Sequence, residues 1–212
     1  MSRASAPRET PGRRSSAKET QQRILDAALA SFGSKGYEAT SLDALAHGLG
    51  ITKQSILYHF ASKESLLEAV LDRSAVELSE TLESSLAGAG RGWARVEAVV
   101  RSVFRLAARR PELLAFVREV SRLGPPAATR LTEALEPLVE RATGFLEAEM
   151  DAGTMRRQEP RLLLLAAYST VIGMATEVDV LRALGIEPTP RSLVRRRAEL
   201  LAFLKSALVA PS

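Results

Sequence analysis

The 212-residue sequence contains no cysteine, which removes disulfides, thiolate-bound zinc, iron–sulfur clusters and thiol nucleophiles together. Histidine is almost missing too: His47 and His59 are the only two, too few for a histidine-based metal site. Long apolar runs are also missing. The longest stretch without a charge is the 15 residues Leu162–Thr176, broken up by Ser169, Thr170 and Gly173. A membrane-spanning helix needs roughly 20 apolar residues, so no membrane anchor is expected. The N-terminus lacks the apolar segment of a secretory signal, and a cytoplasmic protein is expected. There is no Ser/His/Asp arrangement, no pair of carboxylates on an apolar face, no phosphate loop and no metal-ligand spacing. An enzyme, a cofactor and a metal are therefore not expected. With 46% hydrophobic and 25% charged residues, the chain has the composition of a folded globular protein.

The net charge of +4 is unevenly placed. Residues 1–63 hold nine Lys/Arg and five Asp/Glu, together with both histidines, while the remaining 149 residues carry 20 of each sign. Within the first 16 residues four arginines face one glutamate, so residues 17–63 have an excess of only one positive charge. A front that binds a polyanion, joined to a neutral body, is one explanation; an incidental basic tail is the other. Residues 1–16 are rich in Ser, Arg and Pro without hydrophobic period, and are expected to form a disordered basic arm.

Almost everything after the arm has helical period, and the predicted fold is all-α. Ser16 and Glu19 form a capping box that opens a helix with Ile24, Leu25, Ala28, Leu29 and Phe32 on one face, ended by Gly33 and Gly36. Thr40 with Asp43 opens a short second helix closed by Gly48 and Gly50. Thr52 caps a third helix reaching about Phe60, and Ser62 caps a fourth, longer one. Beyond Ala87, glycine and proline separate further amphipathic helices. Pro137 is expected to kink or split the helix over 127–150. A nearly all-apolar helix over 160–184 is expected to be buried on more than one side, and a leucine-rich helix over 191–209 ends the fold.

The second and third helices are joined by three or four residues, the geometry of a helix-turn-helix. Ala46 supplies a small residue where the helices cross, Gly50 accepts positive φ in the turn, and Ile56 plugs the second helix into the core. An ordinary helical hairpin is the alternative. Stepping 100° per residue from Ile56 puts Gln54, Ser55 and Tyr58 on the outward face, led by Thr52 and Lys53. Gln54 can pair bidentately with adenine. Thr40, Ser41, Thr52 and Ser62 lie at helix N-termini, where phosphate oxygens are favoured. Lys53, His59 and Lys63 add donors, and Tyr58 can reach a phosphate with its hydroxyl. Each has a plainer role as well: His59 in local packing, Tyr58 covering the core, Lys63 as a solvated charge.

The stretch 20–72, with RILDAAL, F–x–x–KGY–x–AT, LA–x–x–LGI–x–K, YHF–x–SKE and LL, resembles the N-terminal domain of the tetracycline-repressor (TetR) family of transcriptional regulators. The resemblance covers a quarter of the chain. It implies a homodimer that binds a double-stranded DNA operator through residues 17–63, with an all-helical domain over 64–212 that dimerises and takes a small-molecule effector. Leu57 stands where the family commonly has Tyr, and Gln54 replaces its usual small residue. A faint match from AGTMR (152–156) onward implies dimerisation through the last two helices, about 160–184 and 191–209; their burial within one subunit is the alternative.

Trp93, Phe104, Phe116, Phe145, Tyr168 and Met174 are candidates to line an effector pocket, although aromatics at helical spacing also make ordinary core. Glu177 either meets a cationic or hydroxylated ligand or pairs with solvent or arginine. The Arg195–Arg197 cluster, with Glu199 four residues beyond Arg195, is expected on a solvated helix face. The functional expectation is a ligand-responsive DNA-binding regulator, most simply a repressor. A DNA-binding activator or architectural dimer, and a small-molecule-binding bundle with a vestigial helix-turn-helix, are the alternatives.

Overall fold

The computed structural model describes residues 11–210, with side chains from Ser16 onward. Ten helices make up the described chain: α1 (Pro11–Lys35), α2 (Leu42–Leu49), α3 (Lys53–His59), α4 (Lys63–Ala87), α5 (Trp93–Arg109), α6 (Pro111–Leu123), α7 (Ala127–Asp151), α8 (Pro160–Thr176), α9 (Val178–Ala183) and α10 (Pro190–Leu208). Among the described residues there is no strand, only an isolated bridge between Met155 and Val209. The chain divides into two compact units between Val70 and Leu71, inside α4. No helix of the described residues is long and apolar enough to cross a membrane.

In the first unit the expected stripe of α1 is buried: Ile24, Ala28 and Phe32 have no exposed surface, and Leu25 and Leu29 little. Leu45, Ala46, Ile56, Phe60, Leu66, Leu67 and Val70 complete this small core. Each fully buried Leu or Ile stabilises the fold by roughly 1.5–3 kcal/mol. The start of α1 differs from expectation. The helix begins at Pro11, so residues 11–16 are helical, and the rest of the expected arm, 1–10, lies outside the described residues. Ser16 is interior to the helix: its carbonyl accepts from Thr20 Oγ1 at 2.9 Å. Proline is well tolerated in a first helical turn, and the Arg, Lys, Glu and Gln that follow are helix formers, so a basic composition did not mean irregular chain.

In the second unit α6 packs on α5, α7 and α8, while α10 packs on α5 and α8. Phe104, Leu113, Leu114, Phe116, Val120 and Leu200 form its most buried core. Pro137 sits inside an unbroken α7 instead of splitting it. The apolar segment 160–184 is not one helix: it breaks at Glu177 into α8 and the short α9. Within this unit α8 has Val171 buried but Leu162, Leu165 and Tyr168 exposed, so it is covered on one side only. Its all-round apolarity exceeds what the chain itself buries. The tail of α10 is pinned by Arg156, whose amide donates to Leu208 O at 2.9 Å and whose Nε donates to Val209 O at 3.1 Å.

Candidate nucleic-acid interface

The turn between α2 and α3 is set by Gly50. At φ 67°, ψ 31° it occupies the left-handed region, where a Cβ is disfavoured, and its N–H returns to His47 O at 3.1 Å. Ile51 N closes the turn on Ala46 O at 3.0 Å. Ala46 is 4% exposed and Ile56 fully buried, so the small residue and the plug act as the spacing required. Arg23 of α1 adds a contact with no local sequence signal, donating to Leu49 O at 3.1 Å across the end of α2.

Caps fix where each helix begins. Ser55 N donates to Thr52 Oγ1 at 3.1 Å at the head of α3, and such a cap contributes about 1 kcal/mol. At the head of α4, Ser65 N donates to Ser62 Oγ at 3.1 Å and Ser62 N to Ser65 Oγ at 2.9 Å, a reciprocal box. The cap of α2, however, is Ser41 and not Thr40: Ala44 N donates to Ser41 Oγ at 3.1 Å. Thr40 is 3% exposed, and its hydroxyl donates to Gly36 O and contacts Ser31 Oγ, each at 2.9 Å. It is a buried brace for the α1–α2 turn, which corrects its expected place among the DNA contacts. With φ 89°, Gly36 ends α1; Gly33 lies within the helix.

Five of the other expected contacts share a surface. Thr52, Gln54, Ser55, Tyr58 and His59 line one open cleft of about 390 Å³. Tyr58 is 82% exposed and stands edge-on to His59, with ring centroids 5.2 Å apart, so it does not cover the core. Thr20 of α1 joins this cleft; sequence reasoning missed it because periodicity along α1 shows its face but not what lies opposite. Lys53 is exposed at the head of α3, and its Nζ lies 2.9 Å from Asp43 Oδ2.

Lys63 is held more closely than a solvated charge. Its Nζ lies 4.1 Å from the centroid of the Tyr37 ring and donates to Glu38 O at 3.4 Å. The Tyr37 hydroxyl donates to Glu64 Oε1 at 3.2 Å. Burial, followed by the hydrogen bond and charge of Glu64, pushes the phenol up to about 12. Glu64 is shifted the opposite way, below the usual carboxylate range, chiefly by a backbone hydrogen bond and then by Ser62 and Tyr37. The Tyr37 ring and the Glu38 carbonyl hold the ammonium at the N-terminus of α4. A lysine held at a capped helix start is suited to a phosphate.

The residues expected to line an effector pocket are not all alike. Phe104 and Phe116 are fully buried core. Phe145 packs against Leu146, Met150 and Met155 together with Val96, under the guanidinium of Arg95. Trp93 and Met174 are half-buried. Tyr168 is 44% exposed on α8 and does not line an interior pocket, which corrects its expected role. Glu177 is paired with Arg118 of α6. Arg195 and Glu199 form no ion pair among the described residues. Arg195 and Glu199 are exposed, as expected of a solvated face, but Arg196 in the middle of that cluster is buried, which corrects the expectation for that residue. No cluster of three or more metal-ligating side chains occurs among the described residues.

The first unit thus carries a helix-turn-helix, and the second is all-helical. Residues 24–70 match the model of the bacterial regulatory proteins of the tetR family. The HTH-type transcriptional regulator TtgW of Pseudomonas putida is 40% identical over 84 residues, 40% of this chain and 60% of that protein. The match thus spans less than two thirds of that relative's length. The whole fold is similar to a transcriptional regulator from Saccharomonospora viridis in complex with choline, with TM-score 0.73, 20% identity, and 92% and 100% of the two chains covered. It is also similar to the transcriptional regulator FadR from Bacillus subtilis in complex with stearoyl-CoA, with TM-score 0.71, 18% identity, and 87% and 97% covered.

Proposed function

We propose that the protein is a ligand-responsive repressor that binds a near-palindromic operator in double-stranded DNA as a homodimer and is released by a small-molecule effector. The observation that carries this is the exposed face of α3, where Gln54, Tyr58 and the capped N-terminus at Thr52 stand together above a buried Ile56. Residues 17–63 are the DNA-binding part and 64–212 the effector-binding and dimerising part. As a regulator of DNA it works in the cytoplasm.

Gln54 reads a base edge, while Lys63, Lys53, Tyr58 and the helix N-termini take phosphates. Two such helices in successive major grooves require a dimer. The exposed Leu162, Leu165 and Tyr168 of α8 and Val194 and Phe203 of α10 support one formed through the last two helices. An effector acts by favouring a conformer whose two α3 helices no longer match the groove spacing. The choline and stearoyl-CoA held by the two structural neighbours support a small organic molecule as effector.

A gel-shift titration with the DNA upstream of its own gene, over a salt series, tests this. Retardation that weakens with salt is expected, and its complete absence overturns it. Gln54→Ala should cost roughly 1–3 kcal/mol at one operator position and little elsewhere. Lys63→Ala should weaken all sequences alike and flatten the salt slope by about one. A reporter whose output rises when the protein is removed separates repression from activation.

A further inference from the structure

The interior of the second unit contains a cation that no carboxylate balances. Arg196 lies on the same face of α10 as Leu200, Leu204 and Leu208, at successive steps of four, and only 6% of it is exposed. The neighbours of α10 are α5 and α8. One guanidinium nitrogen, Nη1, donates to the carbonyl of Met174 in the last turn of α8. Nε is buried with no hydrogen-bond partner. Glu177, three residues past Met174, is committed to Arg118. Desolvation lowers the Arg196 pKa, and no neighbouring carboxylate counters it.

A helix C-terminus offers only partial negative charge, about half an elementary charge, and a single carbonyl takes one of the five guanidinium N–H donors. A buried cation left in this condition costs free energy unless a counter-charge is supplied. A structural cap for α8 would need neither the buried position nor the empty Nε.

We propose that Arg196 is the anion-recognising group of a ligand site in the helical unit, and that the ligand is an organic anion: a carboxylate or phosphate ester with an apolar body. This rests on the reading of that unit as effector-binding. The planar fork formed by Nε and one Nη matches two oxygens of either group. The leucines on the same face of α10 suit an apolar body. Because Nε is closed off, an anion reaches it only when the end of α8 shifts, and in doing so it replaces the Met174 carbonyl as partner. Ligand binding and a change in the α8–α10 contact are then one event. A quaternary ammonium ligand is disfavoured by the same charge.

Calorimetric titration of the full-length protein with octanoate, octyl phosphate, octanol and octylammonium tests this. At least one anion should bind about tenfold or more tightly than octanol, the strength of one charged hydrogen-bonded contact, and octylammonium should bind more weakly than octanol. The order of octanoate and octyl phosphate identifies carboxylate or phosphate. Arg196→Gln should abolish the anion preference and leave octanol unchanged, while Arg196→Lys should retain part of it. Equal binding of anions and octanol, or an anion preference that survives Arg196→Gln, overturns the proposal and leaves the effector-binding reading in place. If none of the four binds, both fail. Should Arg196→Gln not fold, octanoate against octylammonium on the unmodified protein still decides.

Discussion

Lys53 at the start of α3 is joined to Asp43 in the first turn of α2, with Nζ 2.9 Å from Oδ2. Both side chains are about half exposed or more, so the pair adds no more than about 1 kcal/mol to stability. Its importance lies in where it sits: a carboxylate on the surface proposed to face phosphates, holding a lysine expected to contact one. With an excess of only one positive charge over residues 17–63, a single carboxylate there weighs heavily. Asp43→Asn should tighten binding to unrelated DNA several-fold and steepen the slope of log K against log salt by about one. Anisotropy titrations over a salt series measure both, and an unchanged slope would mean that Lys53 does not contact a phosphate.

The α2–α3 turn makes a sharper prediction about stability. A Cβ at Gly50 would meet nothing within 4 Å, so the cost of Gly50→Ala is conformational alone. Holding alanine at φ 67° costs about 1–2 kcal/mol. Two residues earlier, a Cβ on helical Gly48 also meets nothing within 4 Å. There alanine should stabilise by roughly 0.5–1 kcal/mol, because it restricts the unfolded chain and suits a helix. Opposite signs from two neighbouring glycines, read by urea unfolding, separate backbone conformation from simple side-chain addition.

The parts of the fold legible in sequence are those fixed by short-range chemistry. Thr52 and Ser62 cap their helices and Gly50 makes the turn through bonds within a few residues, and Ile56 follows from the helical period; all four take the expected structural places. At Thr40 and Ser41 two adjacent hydroxyls competed for one cap, and the choice was made by Ser31 on α1, which buries Thr40. The break at Glu177 has no glycine or proline to mark it. Arg196 did carry a signal, four residues before Leu200 on the α10 stripe, but three consecutive arginines read more simply as a solvated face. The six candidate pocket residues were chosen by type and helical spacing, and that pattern cannot tell core Phe104 from exposed Tyr168.

Tyr37 gives a pH dependence whose sign is fixed. Its pKa is raised from 10.0 to about 12, so between these values the unfolded chain loses a proton that the folded domain retains. Its contribution is complete below pH 10 and is lost as pH rises toward about 12. Tyr37→Phe should remove this loss while keeping the ring beneath Lys63. The variant should therefore show a smaller decline in thermal midpoint between pH 9 and 12, with DNA affinity at neutral pH nearly unchanged. Tyr37→Leu, which removes the ring, should instead weaken all DNA sequences alike, as is expected of Lys63→Ala.

The exposed apolar side chains of α8 and α10 predict how two copies of the chain meet in the proposed dimer. Leu165 and Phe203 are each 59% exposed, on helices that pack together within the subunit. Apolar surface spread over both helices is costly in water unless a second copy covers it. A glutamate at either position would have to be desolvated at that interface. Leu165→Glu and Phe203→Glu should each weaken dimerisation by about 2 kcal/mol or more, roughly thirtyfold in Kd. Neither should unfold the subunit, because neither side chain belongs to its core. Val76→Glu, at an equally exposed valine on α4, serves as control and should leave the dimer intact. Sedimentation velocity across a concentration series, with circular dichroism to check folding, gives the answer. If both variants remain dimeric at concentrations where Val76→Glu does, the partner surface lies elsewhere, and operator binding by a pair of α3 helices would need a different dimer.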